Sequence, residues 1–142
     1  METGIYCLLL ENDPAELPVG SLGRLRFRRG WHLYVGSALG PGGLARVERH
    51  RRLHRDRDRP PRWHIDHLLV SPGFRLTAIL SAATGEDLEC RLAEVLGPPF
   101  VPGFGCSDCT CPSHLFRRER NPEREVAGAF RSLDLTPVIT PL

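Results

Sequence analysis

The chain contains no lysine, since all 19 of its cationic side chains are arginine among 142 residues. It also has no long apolar run. The longest such run near the N-terminus covers residues 5–10, far fewer than the roughly 20 residues that cross a membrane. Glu2 precedes that run and no basic residue does, which argues against a signal peptide. We therefore expect a cytoplasmic protein with no membrane partner.

Cysteine is present in an odd number, five, which argues against a framework of structural disulfides in a chain with no secretion signal. Hydrophobic residues make up 41% of the chain and charged residues 25%, as in an ordinary globular domain. A chain of this length forms a single hydrophobic core. We expect one domain over residues 1–142.

The net charge of +2 hides a strongly basic segment. Between residues 46 and 62 there are eight arginines against three acidic residues. The arginines are Arg46, Arg49, Arg51, Arg52, Arg55, Arg57, Arg59 and Arg62. The guanidinium group offers a planar set of donors that suits phosphate oxygens. The segment is either a solvated surface or a phosphate-binding patch.

Hydrophobic patterns and turn residues predict an α+β or mixed α/β domain, with helices packed on a small antiparallel sheet. The predicted strands cover residues 4–11, 31–37 and 74–80, and residues 19–21 and 25–28 form short extra edge strands. The predicted helices cover residues 44–55, 63–70 and 123–132, and a further helix follows Thr84, which with Asp87 resembles a capping box.

Four residues near the predicted strand–helix junction suit phosphodiester chemistry. Tyr6 and Tyr34 lie on two predicted strands, and Arg46 and His50 lie one turn apart on the following helix. Cleavage requires an activated water and a cation near the phosphate oxygens. Tyrosines on strands are also common as half-buried sheet residues, so the tyrosines alone decide nothing.

A metal ligand is selected by its place on the helix that follows Thr84. Leu88, Leu92, Val95 and Leu96 form the apolar stripe, and Glu89 lies at its border, about 100° from Leu88. Glu86 lies well off the stripe. Glu89 is therefore either a surface residue or the best-placed carboxylate for a divalent cation.

These residues together resemble the GIY-YIG nuclease superfamily, and most closely its Uri-type branch. The matching blocks extend from residue 4 to about 116, and residues 117–142 form a C-terminal helix and tail. The blocks are Gly4-Ile5-Tyr6, Tyr34-Val35-Gly36, Arg46 with His50, Trp63-His64-Ile65-Asp66, Leu88-Glu89-Cys90, and the segment from Gly103 to His114. Some members of the branch are fused to endonuclease III-type repair enzymes, which implies a role in DNA repair by analogy.

The resemblance implies a central three-stranded antiparallel sheet flanked by helices. It implies that Tyr6 or Tyr34 positions or deprotonates the attacking water, with help from the metal or His50. Arg46 would hold the phosphate, and Glu89 would bind one Mg²⁺ or Mn²⁺. Gly4 and Gly36 would have structural roles, Gly36 by allowing close backbone approach. The DNA-binding side chains would be Arg49, Arg51, Arg52, Arg55, Arg57 and His64.

Two features depart from the superfamily pattern. The spacer between Tyr6 and Tyr34 has 27 residues, longer than is usual, and residues 19–27 are expected to form the extra strands within it. The asparagine that usually follows the glutamate has no clear counterpart; either Asp108 or His114 takes its place, or the catalytic activity is weak or lost. For His64 and Asp66, a stabilising hydrogen-bond role and a role on the substrate side remain open.

A cysteine-rich cluster lies near the end of the matching region. Cys106, Asp108, Cys109, Cys111 and His114 fall within nine residues. Zinc accepts cysteine and histidine, but four ligands this close in sequence strain a tetrahedral site, so a thiol loop bordering the active site is favoured over bound zinc.

The sequence thus predicts a metal-dependent endonuclease that hydrolyses DNA phosphodiester bonds, with RNA as a further possible partner. The alternative is a non-catalytic nucleic-acid-binding module that keeps the fold and the arginine patch, and a third reading is a zinc-knuckle RNA binder. The sequence does not give the oligomeric state.

Overall fold

A computed structural model describes residues 2–106 and 111–142. Within them, five antiparallel strands form the central sheet, in the order β6-β4-β1-β5-β7. The strands are β1 (Gly4–Asn12), β4 (Gly30–Ala38), β5 (Phe74–Ala83), β6 (Leu115–Arg118) and β7 (Val138–Pro141). The predicted mixed α/β class is confirmed, but the expectation of a three-stranded sheet is wrong. Strands β4, β1 and β5 form the middle, and β6 and β7 cover their outer edges, which would otherwise expose unpaired backbone groups.

Strand β1 lies at the centre of the sheet and is buried on both faces. Its alternation places Ile5, Cys7 and Leu9 on one face and Tyr6 and Leu8 on the other, and each set joins a separate hydrophobic cluster. A strand covered on both faces has a nearly continuous apolar sequence, which explains why β1 lacks a polar alternation.

Helices cover both faces of the sheet. Helices α3 (Glu89–Leu96) and α4 (Glu123–Ser132) pack on the face of Ile5. Helices α1 (Ala45–Asp56) and α2 (His64–Leu69) pack on the face of Tyr6. The predicted positions of α1, α2 and α4 agree with these bounds to within a residue or two. Within the described residues, no helix is long and apolar enough to cross a membrane.

Residues 15–27, between β1 and β4, do not join the central sheet, contrary to the expectation of extra edge strands. Strands β2 (Ala15–Pro18) and β3 (Arg24–Phe27) form a separate two-stranded sheet. A short 3-10 turn, Gly20–Leu22, occupies part of the segment predicted as the first edge strand. Val19 and Phe27 are buried against the α2 side of the core, so apolar anchors dock this hairpin onto the domain.

Helix α3 begins later than its sequence suggests. Leu88 is its N-cap and makes no side-chain capping hydrogen bond, so the capping box predicted at Thr84 and Asp87 is absent. The Thr84 hydroxyl instead accepts a hydrogen bond from the backbone N–H of Glu86 at 3.1 Å. Val95, predicted to be buried, is 48% exposed. The late start leaves Glu89 as the first residue of the helix.

Residues beyond 116 are integral to the core rather than a tail. Val126, Ala127, Ala129 and Phe130 of α4 are buried in the same cluster as β1 and α3. Strand β7 pairs with residues 78–81 of β5. The C-terminal quarter of the chain therefore closes one face of the sheet.

Candidate active site

The two tyrosines lie on the same face of adjacent strands. In the antiparallel register of β1 and β4, Tyr6 is opposite Gly36 and Leu8 is opposite Tyr34, so the tyrosines are diagonal neighbours. Both line a cavity of about 460 Å³. The long spacer between them leaves this register intact because it folds as the separate hairpin.

Gly36 makes room for the ring of Tyr6. A Cβ atom built on Gly36 would lie 2.4 Å from the Tyr6 hydroxyl oxygen, closer than atoms can approach without displacement. Gly4 is similarly constrained, since a Cβ atom there would lie 2.4 Å from the carbonyl oxygen of Ala82. Both glycines thus have a steric reason for their positions.

His50 contacts Tyr6 from helix α1. Its Nε2 atom lies 2.8 Å from the Tyr6 hydroxyl, and its side chain is buried. Nδ1 of His50 has no hydrogen-bond partner among the described residues. Burial, followed by the nearby Arg49, lowers the pKa of His50 from its ordinary value to about 4, so the imidazole is neutral at physiological pH.

The tyrosines are neutral as well. Burial, followed by the neighbouring Tyr34, raises the pKa of Tyr6 well above its ordinary value. Burial and then the Glu89 carboxylate raise the pKa of Tyr34. Neither residue is a tyrosinate at neutral pH, so a proton taken by either must be passed on to another group.

Arg46 is an exposed cation at the wall of the cavity. It lies one helical turn before His50 and lines the same cavity. Its guanidinium donates to the carbonyl oxygen of Ser37 at 3.0 Å and lies 5.2 Å from the centre of the Trp63 ring. These contacts orient the guanidinium at the cavity wall while leaving donors for an anion.

Asp66 has a structural role. It is fully buried and accepts two hydrogen bonds from Arg49, each at 2.8 Å, as well as bonds from the backbone N–H groups of Arg62 and Trp63. Burial alone would raise the pKa of Asp66, but the Arg49 hydrogen bond and the backbone donors hold it below its ordinary value. Asp66 therefore fixes the start of α2 and is not available as a metal ligand.

Arg49 is held by contacts with Asp66 and Trp63. Besides its bonds to Asp66, its guanidinium lies 3.9 Å from the centre of the Trp63 ring. Arg49, fixed by its ion pair with Asp66, makes a cation–π contact that holds the Trp63 side chain beside Arg46. Arg49, predicted as a DNA-binding residue, thus has an internal partner for its charge.

Glu89 reaches the cavity from the start of α3. Its Oε1 atom lies 2.6 Å from Nδ1 of His114, and its side chain is 19% exposed. No hydrogen bond joins Oε2 to another residue of the described part of the chain. One carboxylate oxygen is therefore held by the protein, and the other can bind a cation through the open side of the cavity.

The predicted DNA-binding residues are not all on one surface. His64 lines the cavity, and its Nδ1 accepts a hydrogen bond from the backbone N–H of Gly105 at 2.8 Å. Arg52 lines a second cavity of about 330 Å³ together with Arg59 and Arg62, and Arg62 lines both cavities. Arg59 and Arg62 belong to the basic segment but were not among the residues predicted to bind DNA.

The remaining arginines lie apart from these two cavities. Arg51 pairs with Glu48 at 3.4 Å and lines another cavity, near Thr140. Arg55 pairs with Asp56 at 2.8 Å. Arg57 ends α1 in the left-handed conformation, with φ of 49°, and donates to the carbonyl oxygen of His54. The basic segment thus contributes some arginines to the two cavities and others to surfaces away from them.

The cysteine-rich cluster borders the site at His114. Cys111 Sγ lies 2.8 Å from His114 Nε2, and Cys106 Sγ donates to the carbonyl oxygen of Phe104 at 3.4 Å. Asp108 and Cys109 lie outside the described residues. Cys90 of α3, which the sequence analysis did not select, joins Cys111 and His114 in a group whose ligand atoms lie within 4.8 Å of one another.

Comparison with known proteins adds a family but no activity. No curated protein and no solved structure matches the chain. One family model matches residues 5–135, and its description is a domain of unknown function, DUF123. This match covers the four helices, every strand of the central sheet except β7, and every residue of the cavity described above, so the chain belongs to the DUF123 family.

Proposed function

We propose that the protein is a metal-dependent endonuclease that hydrolyses DNA phosphodiester bonds at the cavity of Tyr6, Tyr34, Arg46 and Glu89. One observation carries the proposal. Two neutral tyrosines, an exposed arginine and a carboxylate come from four different elements and line a single polar cavity, with His50 bonded to Tyr6 behind it. The resemblance to GIY-YIG nucleases supports the same assignment.

Glu89 fits a Mg²⁺ or Mn²⁺ ligand because these cations bind through one or two carboxylates and keep several waters. A cation there would supply charge stabilisation and lower the pKa of a bound water. In this proposal Glu89 Oε2 is the ligand atom, and the contact of Oε1 with His114 fixes the direction of the carboxylate. Arg46 binds a non-bridging oxygen of the scissile phosphate and stabilises the charge that develops there.

Tyr6 and His50 provide the path for the proton. The water oxygen forms a bond to phosphorus and the bond to the leaving sugar oxygen breaks. As the water gives its proton to the Tyr6 oxygen, Tyr6 passes its own proton to Nε2 of neutral His50. Because the pKa of His50 is only about 4, His50 holds the proton at Nε2 briefly and returns it to the Tyr6 oxygen, and Tyr6 passes a proton to the leaving sugar oxygen.

The test is cleavage of labelled single-stranded, duplex and branched DNA in Mg²⁺, in Mn²⁺ and in chelator. We expect metal-dependent nicking that falls by orders of magnitude in Glu89→Gln, because the amide removes the anionic oxygen that a hard cation requires. Binding in chelator should stay near that of the wild type. Glu86→Gln is the matched control, since Glu86 is exposed in the loop before α3, and it should cleave normally.

Arg46→Ala should also abolish cleavage while preserving the fold, because Arg46 is exposed. Metal-independent binding with no cleavage of any DNA would instead favour the alternative, a non-catalytic nucleic-acid-binding module. Wild-type cleavage by Glu89→Gln would contradict the metal site. The roles in DNA repair and the cytoplasmic location remain predictions from the sequence.

A further inference from the structure

Two cysteines and a histidine converge beside the proposed active site from separate parts of the chain. Cys90 is the second residue of α3, and Cys111 and His114 precede β6. Their ligand atoms lie within 4.8 Å of one another, and His114 is buried. We propose that Cys90, Cys111 and His114 bind one zinc ion, a site distinct from the Mg²⁺ position at Glu89 Oε2 and independent of nuclease activity.

The dimensions of the group suit zinc. With Zn–S bonds of about 2.3 Å and Zn–N bonds of about 2.0–2.1 Å, tetrahedral geometry separates ligand atoms by roughly 3.5–3.8 Å. The 4.8 Å span of the group is close to this separation. The contact of 2.8 Å between Cys111 Sγ and His114 Nε2 must widen by roughly 0.8 Å to admit the ion, a movement of one thiol.

The separation of the three ligands along the chain also favours zinc binding, unlike the close spacing of the cysteine-rich cluster of residues 106–114. Four ligands from residues 106–114 would all come from one short loop. The proposed group instead takes one ligand, Cys90, from helix α3 and two, Cys111 and His114, from a Cys-x2-His turn, so its ligands come from separate elements as in structural zinc sites. The described residues supply three ligands of a four-coordinate zinc ion. On binding, the two thiols release their protons to solvent as the Zn–S bonds form.

His114 has the partner that a zinc-bound histidine requires. Its Nδ1 lies 2.6 Å from Glu89 Oε1, and histidines that bind zinc through one nitrogen commonly donate from the other to a carboxylate. Zinc at Nε2 would place the proton on Nδ1, the nitrogen that lies at ion-pair distance from Glu89. By fixing His114, the zinc ion would help to hold the side chain of Glu89, which lines the cavity.

The experiment measures the metal content of the purified full-length chain and its zinc affinity after removal of metal, by competition with a chromogenic chelator. We expect one zinc per chain, bound tightly by the wild type and at least tenfold more weakly by Cys90→Ser and by Cys111→Ser. Cys106→Ser is the matched control because its thiol is outside the group, and its zinc affinity should equal that of the wild type. Cobalt in place of zinc should give sulfur-to-metal absorption that weakens in Cys90→Ser.

A measurement on the wild type covers the case in which a variant fails to fold. Zinc should protect Cys90 and Cys111 from alkylation, as read by peptide mass spectrometry, while alkylation of Cys106 is the same with zinc and with chelator. Loss of zinc in Cys106→Ser but not in Cys90→Ser would overturn the proposed ligand set. Absence of stoichiometric zinc would overturn the site itself. So would a Cys90–Cys111 disulfide that forms in the metal-free protein to the same extent when zinc is added.

Discussion

The ring of Tyr6 occupies the space where a side chain on Gly36 would lie. Gly36→Ala should therefore displace the ring, break the bond between Tyr6 and His50, and destabilise the fold by about 1–3 kcal/mol. Cleavage should fall with it, because Tyr6 no longer reaches the cavity in the same position. Chemical denaturation and the nicking assay measure the two effects.

Gly40→Ala is the matched control for this change. Gly40 lies two residues past β4, and a Cβ atom there would meet nothing within 4 Å. The control should retain stability and cleavage. If Gly36→Ala behaves like Gly40→Ala, the close packing of Tyr6 against β4 does not constrain the site.

Two buried histidines should make the fold sensitive to mild acid. Burial, followed by Arg117, lowers the pKa of His32 to about 4, and burial does the same for His50. In the unfolded chain both titrate near 6.5. Above pH 6.5 both are neutral in either state, and between 6.5 and 4 only the unfolded state takes up protons. The free energy of unfolding should fall through this window by about 3 kcal/mol for each histidine.

Urea unfolding of the wild type and of His32→Gln at pH 7.5 and pH 4.5 measures the effect. His32 bonds to Asn12 at 2.8 Å, so the variant loses stability at both pH values. Its loss between the two pH values should nonetheless be smaller than that of the wild type by about 2–3 kcal/mol. Equal losses in the two proteins would show that His32 does not titrate with a lowered pKa.

Site residues with a fixed local spacing were predictable from the sequence, whereas residues brought together only by tertiary packing were not. Tyr6, Tyr34, Arg46 and His50 have fixed spacings within strands and one helix, and the structure brings them together. Cys90 lies in the block Leu88-Glu89-Cys90, but nothing in that block indicates a metal ligand, because the other residues of the proposed zinc site lie more than 20 residues away. Its position could be found only after α3 was placed against the segment before β6.

At the scale of elements, helix α1 and the loop after it divide the arginines into two sets. Arg52, Arg59 and Arg62 line the cavities at or next to the site. Arg51, Arg55 and Arg57 are exposed elsewhere and contact Glu48, Asp56 and the His54 carbonyl. Replacing either set with alanine removes three positive charges, so the two variants have the same net charge.

Replacement of the first set should weaken DNA binding across sequences and flatten its salt dependence, since each lost phosphate contact reduces the slope of log K against log salt by about 0.9. Replacement of the second set should change both quantities much less. Titrations of labelled duplex at several salt concentrations measure this. Equal effects of the two sets would mean that net charge alone, rather than the surface next to the cavity, determines binding.

The short strands β6 and β7 were not predicted from the sequence because each pairs with a strand far away along the chain. Residues 115–118 of β6 pair with residues 31–34 of β4, and nothing within four residues of sequence encodes that partner. Strand β7 contains Pro141 and has exposed side chains at Val138 and Ile139, so it lacks the apolar alternation that marks a buried strand. Long strands and amphipathic helices were predictable because their periodicity is contained within them.

At the scale of the whole molecule, α4 completes the core. Val126 and Phe130 are fully buried against the central sheet, although the sequence pattern assigned them to a region outside the matching blocks. Truncating a buried phenylalanine costs about 3–5 kcal/mol, a large part of the 5–15 kcal/mol that stabilises a typical domain. Of the described residues that line the cavity, none belongs to α4, but α4 packs against α3, the helix that begins with Glu89.

Two truncations separate the contributions of α4 and β7. A chain ending at residue 136 keeps α4 and the whole region matched by the family model and loses β7, whose Val138 is 62% exposed. It should unfold cooperatively, with a loss of about 1–3 kcal/mol for the missing strand pairing, and should retain cleavage. A chain ending at residue 118 keeps every proposed site residue but lacks α4, and it should lose cooperative unfolding and cleavage together. Circular dichroism melts and the nicking assay measure both. A folded, active chain ending at residue 118 would show that the domain is complete without α4 and that burial of Phe130 is dispensable.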